Sequence, residues 1–362
     1  MRNTVFHKKF RDEVKERWQV SEVAVQRFRE AMPNILALVN ERFKLEAPYP
    51  DNQEFLQNLD FLLDVHHYFG EMLLAVYQFQ LWDNLIDEAM WYVQSIRSRG
   101  LDERYLTQML RTWMIALHSY IKPPEVNELA RPLQWLSGHV QVFFQSEEQE
   151  EGLPHKATEL LHLLFRNERD KSEELVNSFF AEQNSIEAVI NQLFLPVLSE
   201  IGRLWCENRI SVADEHLAVA NIRAIYQIFF KPCSSNKKKE QKITICCVPS
   251  EEHEISAEML SLYLESNGWD VVFIGHSTPE DEILRTLSQN TPFAVILSIT
   301  LISHLPALNS LIQKLRGRFP TLKILAGGAA LLRLQAKEVI QELVDGIPSS
   351  FEECHKILKR LV

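Results

Sequence analysis

The sequence predicts an α plus α/β protein: an all-helical N-terminal domain, then a small four-helix bundle, then a doubly wound parallel sheet. Three observations carry this. Glycine is scarce, 11 in 362 residues, and six of the 11 lie in the last 122, where an average protein carries about 7% throughout. The first 240 residues repeat their apolar side chains at helical spacing and hold few strand-like runs. From Lys242 onward, short continuous apolar runs alternate with helical ones, the pattern of parallel strands buried on both faces.

Helical periodicity runs from about Glu13 to Trp135. Phe61, Leu62, Val65, Tyr68, Phe69 and Leu73 form one face, and Tyr77, Leu81, Leu85, Met90, Tyr92 and Ile96 continue it up to a stop at Arg99-Gly100. A further helix spans about Asp102 to Tyr120 and closes at Pro123-Pro124. The polar, acidic stretch Ser146 to Lys156 reads as a linker. Four helical segments follow between Ala157 and Phe230, with Ser185 and Ser211 as N-caps and Asp214 completing a near capping box. Cys233 to Gln241 reads as a second linker. The strand candidates are Ile243–Val248, Val271–Gly275, Phe293–Ser298 and Lys323–Gly328. Helices are expected between them near Ile255–Ser266, Glu280–Ser288 and Leu308–Arg316. The expected domains are therefore 1–148, 155–232 and 241–362.

Composition narrows the function classes. With 46% hydrophobic and 24% charged residues, disordered and collagen-like chains are excluded. No apolar run approaches the ~20 residues of a membrane span, and the opening residues lack the apolar core of a signal peptide, so a cytoplasmic location is expected. The five cysteines, Cys206, Cys233, Cys246, Cys247 and Cys354, show no metal-ligand spacing and are expected as reduced thiols. Net charge is −11. Residues 241–362 hold 11 basic against 14 acidic groups and the rest hold 27 against 35. Neither part offers a basic face, so no direct nucleic-acid binding is expected.

In a doubly wound domain, ligands bind beyond the carboxyl ends of the strands. Three polar features fall there. Pro249-Ser250-Glu251-Glu252-His253-Glu254-Ile255-Ser256 follows the first strand, Ser298-Ile299-Thr300 the third, and Gly327-Gly328 the fourth. Taken singly, His253 is more often a helix-start residue than a ligand, Ser298 and Thr300 are strand caps, and the glycines a turn. No dinucleotide fingerprint or P-loop is present.

Together, in this order, they resemble the Rossmann-like, flavodoxin-like cobalamin-binding domain of corrinoid enzymes. Its pattern is Asp/Glu-x-His-x-x-Gly, Ser-x-Leu/Thr and Gly-Gly. Glu251, His253, Ser298, Thr300, Gly327 and Gly328 match it, while Ser256 stands where the family has glycine. The resemblance implies that His253 is the lower ligand of cobalt. It implies further that Glu251 fixes the imidazole tautomer, and that the displaced nucleotide tail enters a slot lined by Ser298, Thr300 and the double glycine. The hydroxymethyl group of Ser256 then lies at the entrance of that slot. Upstream, Pro196, Ile201-Gly202 and Trp205, followed after nine residues by Glu215-His216, are similar to the helical cap of light-sensing cobalamin regulators of the MerR type.

These resemblances imply a cobalamin-binding sensor that is not an enzyme and takes adenosylcobalamin as its cofactor. Trp205 and Glu215 face the upper ligand, and His216 serves as a second cobalt ligand once light has released the adenosyl group. No helix-turn-helix domain is recognisable, so output through a partner protein or a homo-oligomer is expected, with the N-terminal domain as sensor, dimerisation or docking surface. Two alternatives stay open: a corrinoid methyl carrier of a methyltransferase system, and a degenerate scaffold without corrin. A haem-binding variant of the same fold exists, so haem remains a second cofactor candidate. His66, His67 and His118 are read as ordinary helix residues.

Overall fold

Burial on both faces explains why the C-terminal runs form a sheet. In the computed structural model, which describes residues 18–46, 58–145, 152–230 and 241–362, four strands are parallel: β1 (Lys242–Cys247), β2 (Asp270–Gly275), β3 (Ala294–Ser298) and β4 (Lys323–Gly327). Their order is β2-β1-β3-β4. The apolar strands β1 and β3 pair centrally, Ile243 with Ala294 through Cys247 with Ser298, and are buried almost throughout. The order reverses between them. Their carboxyl ends therefore open the crevice where a doubly wound sheet takes its ligand. A fifth position is reduced to one parallel bridge, Leu325 with Gly346.

The chain divides into two compact units, Met1–Gln149 and Glu150–Val362. Among the described residues, the first holds α1 (Glu22–Glu46), α2 (Leu59–Phe79), α3 (Trp82–Arg97), α4 (Glu103–Tyr120) and α5 (Glu125–Gln145). Trp113, Tyr77, Tyr105, Phe28 and Phe43 fill its core. The periodicity from Phe61 to Ile96 is split in two here. Gln80 takes a left-handed conformation (φ 56°) and caps α2 with its backbone N–H on Val76, a break that period alone does not signal. The expected stop at Arg99-Gly100 and the N-cap at Asp102, whose carboxylate accepts the Arg104 N–H, are both present. No helix of the described residues is long and apolar enough to cross a membrane.

The second unit joins a four-helix bundle to the sheet. Its helices are α6 (His155–Phe165), α7 (Arg169–Gln183), α8 and α9 (Val212–Phe230). α8 runs as Ile186–Val189, a π-turn Ile190–Phe194 and Leu195–Cys206. The π-turn comes just before Pro196, which lacks the N–H that a regular ladder needs. Both serine caps form. Ser185 Oγ accepts the Ala188 N–H, and Ser211 exchanges reciprocal bonds with Asp214, 3.1 Å from the Asp214 N–H and 2.9 Å to its carboxylate. Ser211→Ala is expected to cost about 1 kcal/mol and to fray the first turn of α9, readable as a lower urea midpoint.

Helices α10 (Ile255–Ser266), α11 (Glu280–Asn290), α12 (Leu305–Arg318), α13 (Leu334–Ile340) and α14 (Phe351–Leu361) complete the unit. α12 starts three residues before the expected Leu308, with Pro306 in its first turn, where a missing N–H costs nothing. The core of the bundle continues into the α/β half: Phe194, Tyr226 and Phe230 belong to the same apolar cluster as Leu260, Tyr263 and Leu264. Polar ties reinforce it. Arg223 on α9 pairs with Glu254 and Glu258 at 2.7 and 2.9 Å, and Tyr263 donates to Glu187 at 2.8 Å. Of the expected linkers, Ser146–Lys156 gives its last two residues to α6, residues 146–151 lie outside the described residues, and so do residues 231–240 with Cys233.

Candidate functional site: an oriented histidine at the switch point

The β1 end turns sharply through Ser250 (φ 68°) and drives the Glu251 side chain inward. Glu251 is wholly buried, a position a carboxylate holds only when fully hydrogen-bonded. Its Oε1 accepts from the His253 backbone N–H at 3.0 Å and from His253 Nδ1 at 2.5 Å. Its Oε2 accepts from the Thr300 N–H at 2.7 Å and from His304 Nδ1 at 3.0 Å. Burial alone pushes the carboxyl upward, but the bonds from His253, His304 and the two amides outweigh it and hold the group well below the carboxylate range.

An ionised carboxylate only accepts, so in the neutral ring the His253 proton sits on Nδ1 and leaves Nε2 as the free lone pair. The His253 side chain is 56% exposed. Its pKa is raised, first by the bond to Glu251 against the opposing effect of burial, then by the charges of Glu251, Glu252 and Glu215. The last of these brings the start of α9 within electrostatic reach of the imidazole.

The remaining expected residues separate into two groups. Ser298 pairs with Gly327 across β3 and β4, and Ile299 donates to the Gly327 carbonyl at 3.0 Å, so the Ser-x-Thr strand end and the double glycine adjoin. Gly328 has φ 111° and ψ 172°, and a Cβ there would stand 2.2 Å from the Ile299 oxygen. The fold itself requires that glycine. At Gly327 a Cβ would meet only Pro348, at 3.8 Å, so nothing in the chain demands it. Trp205 lies half-buried in the last turn of α8, and Ser256 lies half-buried in the first turn of α10; neither is a partner of Glu251. His216 pairs with Glu215 at 3.5 Å and is 75% exposed. His304 was missed by sequence reasoning; its only signal was a polar residue six positions after Ser298 at the same sheet edge.

Among the described residues no three His, Cys, Asp or Glu side chains are grouped to hold a metal ion. One oriented imidazole suits a metal that arrives already ligated in a macrocycle.

Comparison with known proteins matches two segments of this chain to family models. Residues 157–228 match one family described as a B12 binding domain, and residues 241–347 match another of the same description. Both segments are thus similar to B12-binding domains. The first takes in Trp205, Glu215 and His216, and the second takes in every expected residue from Glu251 to Gly328. The chain is 26% identical over 147 residues to the HTH-type transcriptional repressor CarH of Myxococcus xanthus, covering 40% of this chain and 48% of the repressor. It is 23% identical over 163 residues to the methionine synthase of Mycobacterium tuberculosis, covering 44% of this chain and 14% of the enzyme. The chain thus spans about half the length of the first relative and far less of the second. Among solved structures, the monomethylamine corrinoid protein of Methanosarcina barkeri aligns over 56% of this chain and 97% of its own at 14% identity and TM-score 0.49. A cobalamin-binding protein of Desulfitobacterium hafniense aligns over 57% and 98% at 19% identity and TM-score 0.31.

The haem alternative finds no support. The family matches are to B12 domains, and His66 has both ring nitrogens engaged, Nδ1 with Asn40 at 2.8 Å and Nε2 with the Tyr105 hydroxyl at 3.4 Å. Burial lowers its pKa to about 3. His67 pairs with Glu71 at 3.4 Å on the surface.

Proposed function

We propose that this chain is a cobalamin-binding sensory protein, an adenosylcobalamin-dependent light sensor that signals through a partner protein in the cytoplasm. The observation that carries this reading is the buried Glu251 holding His253 by Nδ1 at the switch point, with the lone pair of Nε2 left free to coordinate. His253 would hold cobalt through Nε2, and Glu251 would orient the ring. Ser298, Thr300, Gly327 and Gly328 form the slot for the nucleotide tail, with Ser256 at its entrance. Trp205 and Glu215 would face the cofactor from the bundle, and His216 would supply a second imidazole to the cobalt once the adenosyl group is gone. When bound, adenosylcobalamin supplies a light-labile cobalt–carbon bond. α9 carries Glu215 and His216 at one end and is tied to α10 through Arg223 at its middle, so a change in the occupant of the upper side is felt by the bundle as a whole. The similarity to a transcriptional repressor supports a regulatory role. The net charge of −11 supports output through a protein or a second copy of the chain rather than DNA. In this reading the chain is not an enzyme, and residues 1–148, 155–232 and 241–362 serve as docking domain, cap and cofactor domain.

The similarity to methionine synthase favours a second reading, a corrinoid methyl carrier that uses the same His253. One experiment separates them. The purified protein is loaded with adenosylcobalamin in the dark, desalted, and its absorbance recorded before and after illumination. Retained colour with a light-dependent spectrum supports the sensor. Retained colour without it, with methyl transfer from methylcobalamin to an acceptor protein, supports the carrier. A colourless protein ends both.

A pH dependence follows from His253. The coordinating form is neutral imidazole, and the raised pKa keeps the ring protonated to higher pH than its ordinary 6.5. Cobalamin affinity is expected to fall about tenfold per pH unit below that raised value, checked by retention on desalting between pH 8 and pH 5. The folding contributions have opposite signs. That of Glu251 is present above the carboxylate range and lost as pH falls through its depressed value. That of His253 is full below its ordinary value and lost as pH rises through the raised one.

A further inference from the structure

Among the buried apolar residues of the helical bundle, such as Leu161, Leu164, Val176, Ile222 and Ile225, stands one wholly buried amide, Asn221 on α9. It is used twice across the bundle. Its Nδ2 donates to the Leu164 carbonyl near the end of α6 at 2.9 Å, and its Oδ1 accepts from Arg169 Nε at the start of α7 at 2.7 Å. Two residues further on, Arg223 ties the same helix to Glu254 and Glu258 of α10. α9 is thus clamped from two sides at its middle, and its first two turns, which carry Glu215 and His216, extend beyond the clamp.

Stability alone does not call for this amide. With leucine at position 221, the Leu164 carbonyl would keep the Asn167 N–H at 3.1 Å, and Arg169, which is exposed, would turn to water. No buried polar group would be left without a partner, and a change of that kind is neutral or stabilising. What an apolar side chain cannot supply is a single height. It packs against apolar neighbours in more than one register, whereas an amide satisfies its donor and its acceptor in one. From this we infer that Asn221 is a positioning residue, which sets the height and rotation of α9 against the α6–α7 corner and so the place where Glu215 and His216 are presented. Its consequence for the cofactor rests on the corrinoid reading above. A helix is stiff over the roughly 9 Å between residues 221 and 215, so an error of register at the amide is carried undiminished to the pair.

The test compares Asn221→Leu with Arg169→Met, which keeps the Leu164 bond but leaves a buried Oδ1 short of its donor. Spin labels are placed on two exposed positions, Glu159→Cys of α6 and Ala213→Cys of α9, in a Cys233→Ser background; the other four cysteines are buried. Cofactor-free wild-type protein is expected to give one narrow distance. Asn221→Leu is expected to keep or raise the urea midpoint, yet to broaden that distance or add a second one offset by up to a helical turn, about 5.4 Å. Arg169→Met is expected to do the reverse, with a lower midpoint and a single distance. Loaded with adenosylcobalamin, Asn221→Leu should retain it in the dark as wild type does and release it faster after illumination. A wild-type distance in Asn221→Leu would overturn the inference. So would a midpoint that fell together with the broadening, since Asn221 would then be an ordinary core contact. If the wild-type protein holds no cobalamin but the distance still answers to position 221, the corrinoid reading falls and the positioning role stands.

Discussion

His253→Ala is expected to abolish cobalamin retention on desalting, whereas His216→Ala leaves retention in the dark near the wild-type level. The difference follows from where each imidazole is held. His253 is the ring oriented by a buried carboxylate, so its loss removes the direct donor and should cost more than the roughly hundredfold upper range for outer partners. The fold should survive. Glu251 keeps three of its four donors after the substitution: the backbone N–H at position 253, the Thr300 N–H and His304 Nδ1. His216 is three-quarters exposed and touches Glu215 rather than the Glu251 cluster. It has no part in the lower side, and its expected deficit is confined to illuminated protein, which should release its cofactor faster than wild type. Equal losses by the two variants in the dark would make His216 a structural residue of α9 and remove the light-sensing half of the reading.

How much of this was legible in the sequence depends on whether the determinant is local. β1 and β3 announced themselves as unbroken apolar runs because both faces are covered, and α10 begins and ends where its pattern does. Glu251 and His253 are two residues apart, so the motif and the hydrogen bond coincide. The rest is set by contacts between distant residues. The His304–Glu251 bond joins positions 53 apart and depends on the β1–β3 pairing and on the turn after β3. The charge of Glu215 reaches His253 because α9 packs on α10 through the shared apolar core, with Arg223 and Gln227 as polar ties. The split between α2 and α3 hangs on one left-handed residue, Gln80, whose neighbours continue the same apolar face. Gly-Gly was legible as a pair, but the different needs of its two members were not.

Those different needs give a prediction of large effect. Gly328→Ala is expected to destabilise the sheet edge by about 3 kcal/mol or more. Its backbone conformation is one that only glycine adopts readily, a strain of about 1–3 kcal/mol for any other residue, and the new methyl would lie 2.2 Å from the Ile299 oxygen. Relief requires Ile299 to move, and Ile299 is tied on both sides, donating to the Gly327 carbonyl at 3.0 Å and accepting from the Ala330 N–H at 3.4 Å. The damage should therefore appear as faster hydrogen exchange at Ile299 and Ala330 and a lower urea midpoint, with or without cofactor. Gly327→Ala is the control. Its methyl meets only Pro348 at 3.8 Å, an ordinary contact, so the cobalamin-free protein should unfold at the wild-type midpoint. If the double glycine lines the slot for a cobalamin tail, Gly327→Ala should nonetheless weaken cobalamin retention, because the added carbon occupies space the fold does not use. Wild-type retention in Gly327→Ala would mean that no tail passes there, and that this glycine pair serves only the turn after β4.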